Sequence, residues 1–159
     1  MLKLELLLDP LTSGQKAAIA SYPVVTGSGA TMRLILPLPL GWLTVSQDDP
    51  PAIERFNDGT AFLPATGPRP LTWEVTLEAS HGIWTAAVLE MLWGALRTKT
   101  FNGEPAITRL WDYTRPTATE DYTEFPVAVT AFNPPQDAVM GDTTTRYING
   151  GSLTLLEVV

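Results

Sequence analysis

The residues that could perform acid–base or nucleophilic chemistry are few in this chain. The single histidine, His81, directly follows Ser80, and a hydrolase would need such a base beside its nucleophile, together with an orienting acid. Ser80 does not lie in the Gly-x-Ser-x-Gly turn that exposes a nucleophile. We therefore expect His81 to be a helix-start residue that faces solvent or a neighbouring chain, and the chain not to be an enzyme. A hydrolase whose site is not recognisable in the sequence is the least favoured of three alternative functions.

The motifs that would bind a cofactor or a metal are incomplete. Gly27-Ser28-Gly29 begins like a dinucleotide-binding loop, but Met32 stands at the position of the third glycine. Asp48-Asp49 and Asn57-Asp58-Gly59 lack the alternating oxygen ligands and the final glutamate of a calcium loop. The chain has no cysteine, which excludes disulfides and thiolate zinc sites. We expect no cofactor and no metal.

Carbohydrate chemistry is the main alternative class of function. Glu74 and Glu78 share one face of a predicted strand, and paired carboxylates can cleave sugars, but such a pair on an exposed face usually serves solubility. Five tryptophans could form a platform on which sugar rings stack, as in a carbohydrate-binding β-sandwich. They are Trp42, Trp73, Trp84, Trp93 and Trp111. Because several of them fall on apolar faces, roles in the core or in an interface are favoured.

One predicted helix is more apolar than its place in a small domain requires. Residues 81–97 read HGIWTAAVLEMLWGALR, and the apolar side chains spread over about 200° of the helix surface. A surface helix packed on one side needs an apolar stripe only about 100° wide. We expect one face to cover the sheet of this chain and another to meet a neighbouring subunit. The candidate contact residues are Trp84, Met91, Leu92 and Trp93.

Elsewhere the apolar residues alternate with period two, which predicts strands. The predicted strands are 2–8 (at an edge or half-buried), 32–36, 42–46, 71–79, 107–113, 125–132, 144–148 and 152–158. No strand–helix–strand repeat occurs, so a parallel sheet is not expected. We predict one domain, 1–159, of mainly β structure: an antiparallel β-sandwich or barrel with one α-helix packed on it.

The connections predict where the chain reaches outward. Three of them, 47–70, 114–124 and 133–143, exceed the usual length of about 4–6 residues, and such loops carry function or contact partners. Asn57-Asp58-Gly59 predicts a hairpin within the first, and Asn149-Gly150-Gly151 predicts the turn of a closing hairpin. Residues 12–21 could hold one helical turn, and Ser80 is the predicted N-cap of the long helix.

Composition narrows the classes of partner. Of 159 residues 45% are hydrophobic and only 17% charged, against about 25% charged in a usual domain, so either much surface is covered or uncharged polar residues replace the charges. The net charge of −7 argues against binding a phosphate backbone or an anionic membrane. We expect the N-terminal residues not to act as a secretion signal, because Lys3 and Glu5 interrupt their short apolar run, and no run of about 18 apolar residues occurs. We expect no membrane partner.

Four segments of the second half of the chain form a distinctive series. They are WEVTL from Trp73, WTAAVLEMLW from Trp84, FPVAVTAFNPP from Phe125 and YINGGSLTLLE from Tyr147. This series resembles small tail and baseplate proteins of tailed bacteriophages, especially ring-forming distal-tail or hub-adaptor proteins with the tail-tube fold. The resemblance covers residues 71–158, while residues 1–70 show no such likeness.

The resemblance implies a structural protein of the virion, with no catalytic residues. Six copies would form a ring around the tail channel and link the tube to distal baseplate proteins. The implied partners are further copies, other tail or baseplate proteins, and DNA in transit. The implied location is the virion tail or baseplate, after assembly in the host cytoplasm. An acidic lumen would keep DNA from adhering. The candidate lumen residues are Glu74, Glu78, Glu120 and Asp121.

Overall fold

The computed structural model describes residues 2–38, 41–48, 53–62, 67, 69–78, 81–115, 121–139 and 146–159. Within these ranges the helices are α1 (Ser13–Ile19) and α2 (Gly82–Phe101). The strands are β1 (Lys3–Leu7), β2 (Val25–Thr26), β3 (Arg33–Pro37), β4 (Leu43–Gln47), β5 (Glu54–Arg55), β6 (Ala61–Phe62), β7 (Leu71–Thr76), β8 (Thr108–Asp112), β9 (Thr123–Asn133), β10 (Gln136–Val139), β11 (Arg146–Asn149) and β12 (Ser152–Glu157).

Most of the strands form one antiparallel sheet, in the order β2-β3-β1-β8-β9-β12-β7-β4. The pairs β10–β11 and β5–β6 form separate two-stranded ribbons. The predicted fold class, mainly antiparallel β structure with a helix packed on it, is confirmed. In the described part of the chain the sheet is not closed into a barrel, because its end strands β2 and β4 each have one neighbour.

The core lies between one face of this sheet and α2. Alternation along β1 places Leu4 and Leu6 on that face, opposite Leu36 and Leu34 of β3. The buried helix side chains are Thr85, Val88, Leu89, Leu92 and Leu96. Their spacing of three and four residues aligns them on one side of the helix. The sheet therefore has an inner face under α2 and an outer face directed away from it.

Strand β1 is central, which corrects its prediction as an edge or half-buried strand. It pairs with β3 on one side and β8 on the other. Its outer face is also covered, since Glu5 is 2% and Leu7 8% exposed. The Lys3 and Glu5 charges suggested a solvated face, but Lys3 and Arg33 neutralise the Glu5 carboxylate at 3.0 and 2.9 Å.

Both helices exceed their predicted lengths. The turn predicted within 12–21 is the seven-residue helix α1, whose capping box joins Thr12 and Gln15 in both directions at 3.2 and 3.0 Å. Helix α2 continues beyond Arg97 to Phe101. Its N-cap is His81, without a side-chain capping bond, and Ser80 lies outside the described residues. The fold thus has a second helix that the sequence pattern indicated only as a turn.

The predicted closing hairpin is wrong in its pairing. Strand β12 pairs with β9 and β7, whereas β11 pairs with β10, so Asn149-Gly150-Gly151 is not a hairpin turn. Gly150-Gly151 lies opposite Pro134-Pro135. This is the point between the β9–β12 pairing and the β10–β11 pairing at which the strand pairing is interrupted. A Cβ on Gly151, whose φ is 101°, would lie 2.8 Å from the Pro135 nitrogen. The predicted loop 133–143 accordingly contains strand β10.

Candidate subunit interface

The four helix residues predicted as subunit contacts lie in different environments. Leu92 is 1% exposed and belongs to the core, so its prediction as a contact residue is wrong: it lies four residues from both Val88 and Leu96 on the stripe that faces the sheet. Met91 and Trp93 are half-buried against the core, and Trp84 is 44% exposed. The structure therefore places three of the four where a partner could touch them.

The partly exposed tryptophans of α2 are supported by their own chain on one side. The Trp84 ring lies 4.6 Å from the Tyr22 ring, centroid to centroid. The guanidinium carbon of Arg97 lies 5.9 Å from the centre of the Trp93 ring. Each indole is thus held in position while part of its surface stays uncovered, as is usual for the anchor residues of an interface.

The most exposed large apolar side chain of the described residues is Phe101, at 91%. It closes α2 beside an apolar groove, and Ile107, 39% exposed, follows a few residues later. The groove is lined by Trp93, Leu96, Arg97, Thr100, Phe101, Ala106 and Val129. The prediction missed Phe101 because it ended the helix at Arg97. The signal was present as a phenylalanine just before the Asn102-Gly103 turn.

A second exposed apolar surface lies on the hairpin of β5 and β6, which confirms the turn predicted at Asn57-Asp58-Gly59. The Phe56 N–H donates to the Thr60 carbonyl at 2.9 Å, and Gly59 has a φ of 86°. The Thr60 N–H and hydroxyl donate to the Asp58 carboxylate at 2.9 and 2.6 Å, which lowers the pKa of Asp58.

This hairpin carries apolar side chains without a core to receive them. Ile53, Phe56 and Phe62 are 59%, 54% and 49% exposed. A two-stranded ribbon is at best marginally stable in water unless its apolar side chains are covered. The hairpin and the groove at the end of α2 are therefore two separate uncovered apolar surfaces on one chain.

Two of the predicted lumen residues share the outer face of the sheet. Glu74 and Glu78 are both exposed and lie on the same side of β7 and its extension. Asp121 is exposed but precedes β9, and β12 separates that strand from β7. Glu120 lies outside the described residues. Strands β4, β7 and β12 contain no lysine or arginine, so this part of the outer face is acidic and rich in hydroxyl groups.

His81 is buried within its own chain, so the prediction that it faces solvent or a neighbouring chain is wrong. It is 3% exposed, its Nδ1 accepts the Glu78 N–H at 3.2 Å, and its ring lies 5.3 Å from that of Trp42. Burial lowers its pKa, so the imidazole is neutral near pH 7. The neutral ring thus accepts one backbone hydrogen bond just ahead of α2, while its Nε2 is buried without a partner among the described residues.

The other candidate motifs differ in how much of them the structure describes, and Asp49 of the Asp48-Asp49 motif lies outside the described residues. Gly27-Ser28-Gly29 leads into a three-residue 3₁₀ turn, Gly29–Thr31, and then into β3, not into the long helix of a dinucleotide site. Among the described residues no group of three histidine, aspartate or glutamate side chains could hold a metal ion.

Two buried carboxylates are satisfied within the fold. The Trp73 Nε1–H donates to Asp112 at 2.9 Å, and the Thr114 N–H donates to the same carboxylate at 2.8 Å. On the outer face, the Tyr113 hydroxyl donates to Glu5 at 3.0 Å. Burial and this carboxylate raise the pKa of Tyr113 to about 12. Both carboxylates thus hold strands in position relative to each other.

The tryptophans do not form a shared platform in the described structure. Trp73 is fully buried, and Trp42, Trp93 and Trp111 are half-buried. Trp111 is covered by the Arg33 guanidinium at 4.6 Å and the Tyr122 ring at 4.9 Å. Only Trp84 exposes more than a third of its surface, so no row of open indole faces is available to successive sugar rings.

The comparisons with known proteins give no family for this chain. No protein-family model matches it, and no curated protein is significantly similar to it. Across the described residues, no helix is both long and apolar enough to span a membrane.

Proposed function

We propose that the chain is a self-assembling structural subunit of a bacteriophage tail or baseplate, forming a ring around the tail channel. One observation carries the assembly part of this proposal: a well-packed chain leaves two apolar surfaces uncovered, one at Phe101 and one on the hairpin of Phe56. Contiguous exposed apolar surface on a folded protein marks an interaction site.

The distribution of burial along α2 supports assembly. Leu89 and Leu92 are sealed against the sheet, so the fold does not need Trp84 or Phe101 for its own core. Large aromatic side chains are costly to expose and are the usual anchors of protein interfaces. Their presence on an exposed helix surface is explained if a neighbouring copy covers them.

The outer face of the sheet supports placing the channel there. It lies opposite α2, and its β4–β7–β12 part presents hydroxyl groups together with Glu74. Such a lining would repel phosphate groups and let DNA pass without adhering. Glu78 continues this acidic surface beyond β7.

The resemblance of residues 71–158 to distal-tail and hub-adaptor proteins supplies the tail part of the proposal. The ring, of six copies by that resemblance, would link the tail tube to distal baseplate proteins. DNA would be a transient passenger. The location would be the virion, reached by assembly in the host cytoplasm. A role as carbohydrate-binding module is less well supported, because four of the five tryptophans are at least half-buried.

Negative-stain electron microscopy of the purified chain tests this proposal. We expect rings of uniform diameter with a central opening, and no retention of duplex DNA at physiological salt. A titration with mixed oligosaccharides, followed by tryptophan fluorescence, tests the other function. A particle that stays monomeric at all concentrations, with an emission shift on adding sugar, would refute the ring and favour carbohydrate binding.

A further inference from the structure

We propose that the hairpin of β5 and β6 in one copy docks into the groove at the C-terminal end of α2 in the next copy. This inference rests on the proposed ring and names its contact. The hairpin surface consists of Phe56 and Phe62, which share a face because Glu54 pairs with Phe62, and the groove surface is centred on Trp93 and Phe101.

The two surfaces do not cover each other within one chain. Phe101 is 91% exposed and Phe56 is 54% exposed in the folded chain. Both are aromatic, and the groove offers the flat ring of Trp93 and the aliphatic side chains of Leu96 and Val129. Burying them against a second copy removes apolar surface from water on both partners.

Charge favours pairing the hairpin with the groove over pairing either surface with itself. Arg97 is the one charged side chain in the lining of the groove, which therefore has one net positive charge. No carboxylate of the described residues lies within 4.0 Å of the Arg97 guanidinium. Groove against groove would bring the Arg97 side chains of two copies together, at a cost.

The hairpin has the opposite balance. It carries Glu54, Asp58 and Arg55, which gives one net negative charge, and neither acid forms an ion pair among the described residues. Two chains that each carry a net charge of −7 repel at long range, so a contact of locally opposite charge is favoured.

Contact between two different surfaces is head-to-tail, and such contacts close into rings when the rotation between copies permits. Each copy then uses its hairpin on one neighbour and its groove on the other. In such a contact, a chain with a damaged hairpin can still bind a chain with a damaged groove. An interface between two identical surfaces does not allow this rescue.

The test mixes two variants of the full-length chain, Phe56→Asp and Phe101→Asp. Alone, each should lose assembly, with the association weakened about 30-fold or more, as for an interface anchor. Mixed one to one, they should form heterodimers, because the intact hairpin of Phe101→Asp fits the intact groove of Phe56→Asp. Ala18→Asp, at an exposed position on α1, is the matched control and should assemble like the unmodified chain.

The outcomes separate this inference from the ring itself. If the unmodified chain assembles but the mixture stays monomeric, or if either single variant still assembles, the hairpin–groove contact is wrong while the ring survives. If the unmodified chain never assembles, both are wrong. Circular dichroism and thermal unfolding check that each variant is folded.

Cross-linking gives a second readout that does not depend on loss of assembly. The chain has no cysteine, so introduced thiols report one contact at a time. Oxidising a mixture of Asn57→Cys, which keeps the neighbouring Phe56, and Thr100→Cys should yield disulfide-linked dimers of unlike chains. Ala18→Cys mixed with Thr100→Cys should not, and equal yields from both mixtures would contradict the assigned contact.

Discussion

Leu92 and Phe101 lie on the same helix, yet their truncation should have opposite consequences. Leu92 is 1% exposed, so Leu92→Ala leaves a cavity and should lower the free energy of unfolding by about 2–5 kcal/mol. Phe101 is 91% exposed, so Phe101→Ala should change the free energy of unfolding of the monomer by less than about 0.5 kcal/mol.

The effect of Phe101→Ala should appear in assembly. Burying a phenylalanine side chain contributes about 1.5–3 kcal/mol, so each contact should weaken about 10- to 150-fold. Urea unfolding, at concentrations where both variants are monomeric, gives stability, because assembly itself would raise apparent stability. Sedimentation equilibrium gives the association constant.

Two results would refute this reasoning. One is a loss of monomer stability in Phe101→Ala comparable with that in Leu92→Ala, which would place the phenylalanine in the core. The other is an unchanged association constant in Phe101→Ala, which would mean that the exposed ring contacts no neighbouring copy.

Three further predictions concern the stability of the single chain. Burial lowers the pKa of His81 from 6.5, so its contribution to the free energy of unfolding is complete above pH 6.5 and is lost as the pH falls. His81→Gln should therefore weaken the dependence of the free energy of unfolding, measured in urea, on pH between pH 7 and 5. An unchanged pH dependence would contradict the burial argument. Gly151→Ala should lower the free energy of unfolding by more than about 1 kcal/mol, and by more than Gly150→Ala, whose Cβ meets no atom within 4 Å. Equal melting temperatures of the two variants would show that the close contact with Pro135 does not determine the cost. Trp73→Phe should cost about 1–3 kcal/mol in urea unfolding, since Asp112 loses a donor, and a neutral effect would contradict that role.

The sequence predicts the sheet well where local alternation and burial agree. On β7, Trp73 and Val75 are buried and Glu74 is exposed, as the period-two pattern indicates. The hairpin at Asn57-Asp58-Gly59 follows from its turn residues alone. These features depend on neighbours in the chain, so a single sequence contains the information needed to predict them.

Features that depend on distant partners were not predictable in this way. Nothing local to Asn149-Gly150-Gly151 distinguishes a hairpin turn from an interruption opposite Pro134-Pro135, because the difference lies in which strands pair. Similarly, the pattern of α2 does not show which apolar face the sheet covers. It therefore grouped Leu92 with Trp84, although the first is sealed and the second is exposed.

Sedimentation velocity of the full-length chain over a wide range of concentrations tests the central claim most directly. The proposed ring predicts one closed species with a fixed number of subunits, in exchange with monomer and without open-ended growth. A single 17.3 kDa species at every concentration would contradict the account, because the exposed surfaces at Phe56 and Phe101 would then have no copy of this chain to cover them.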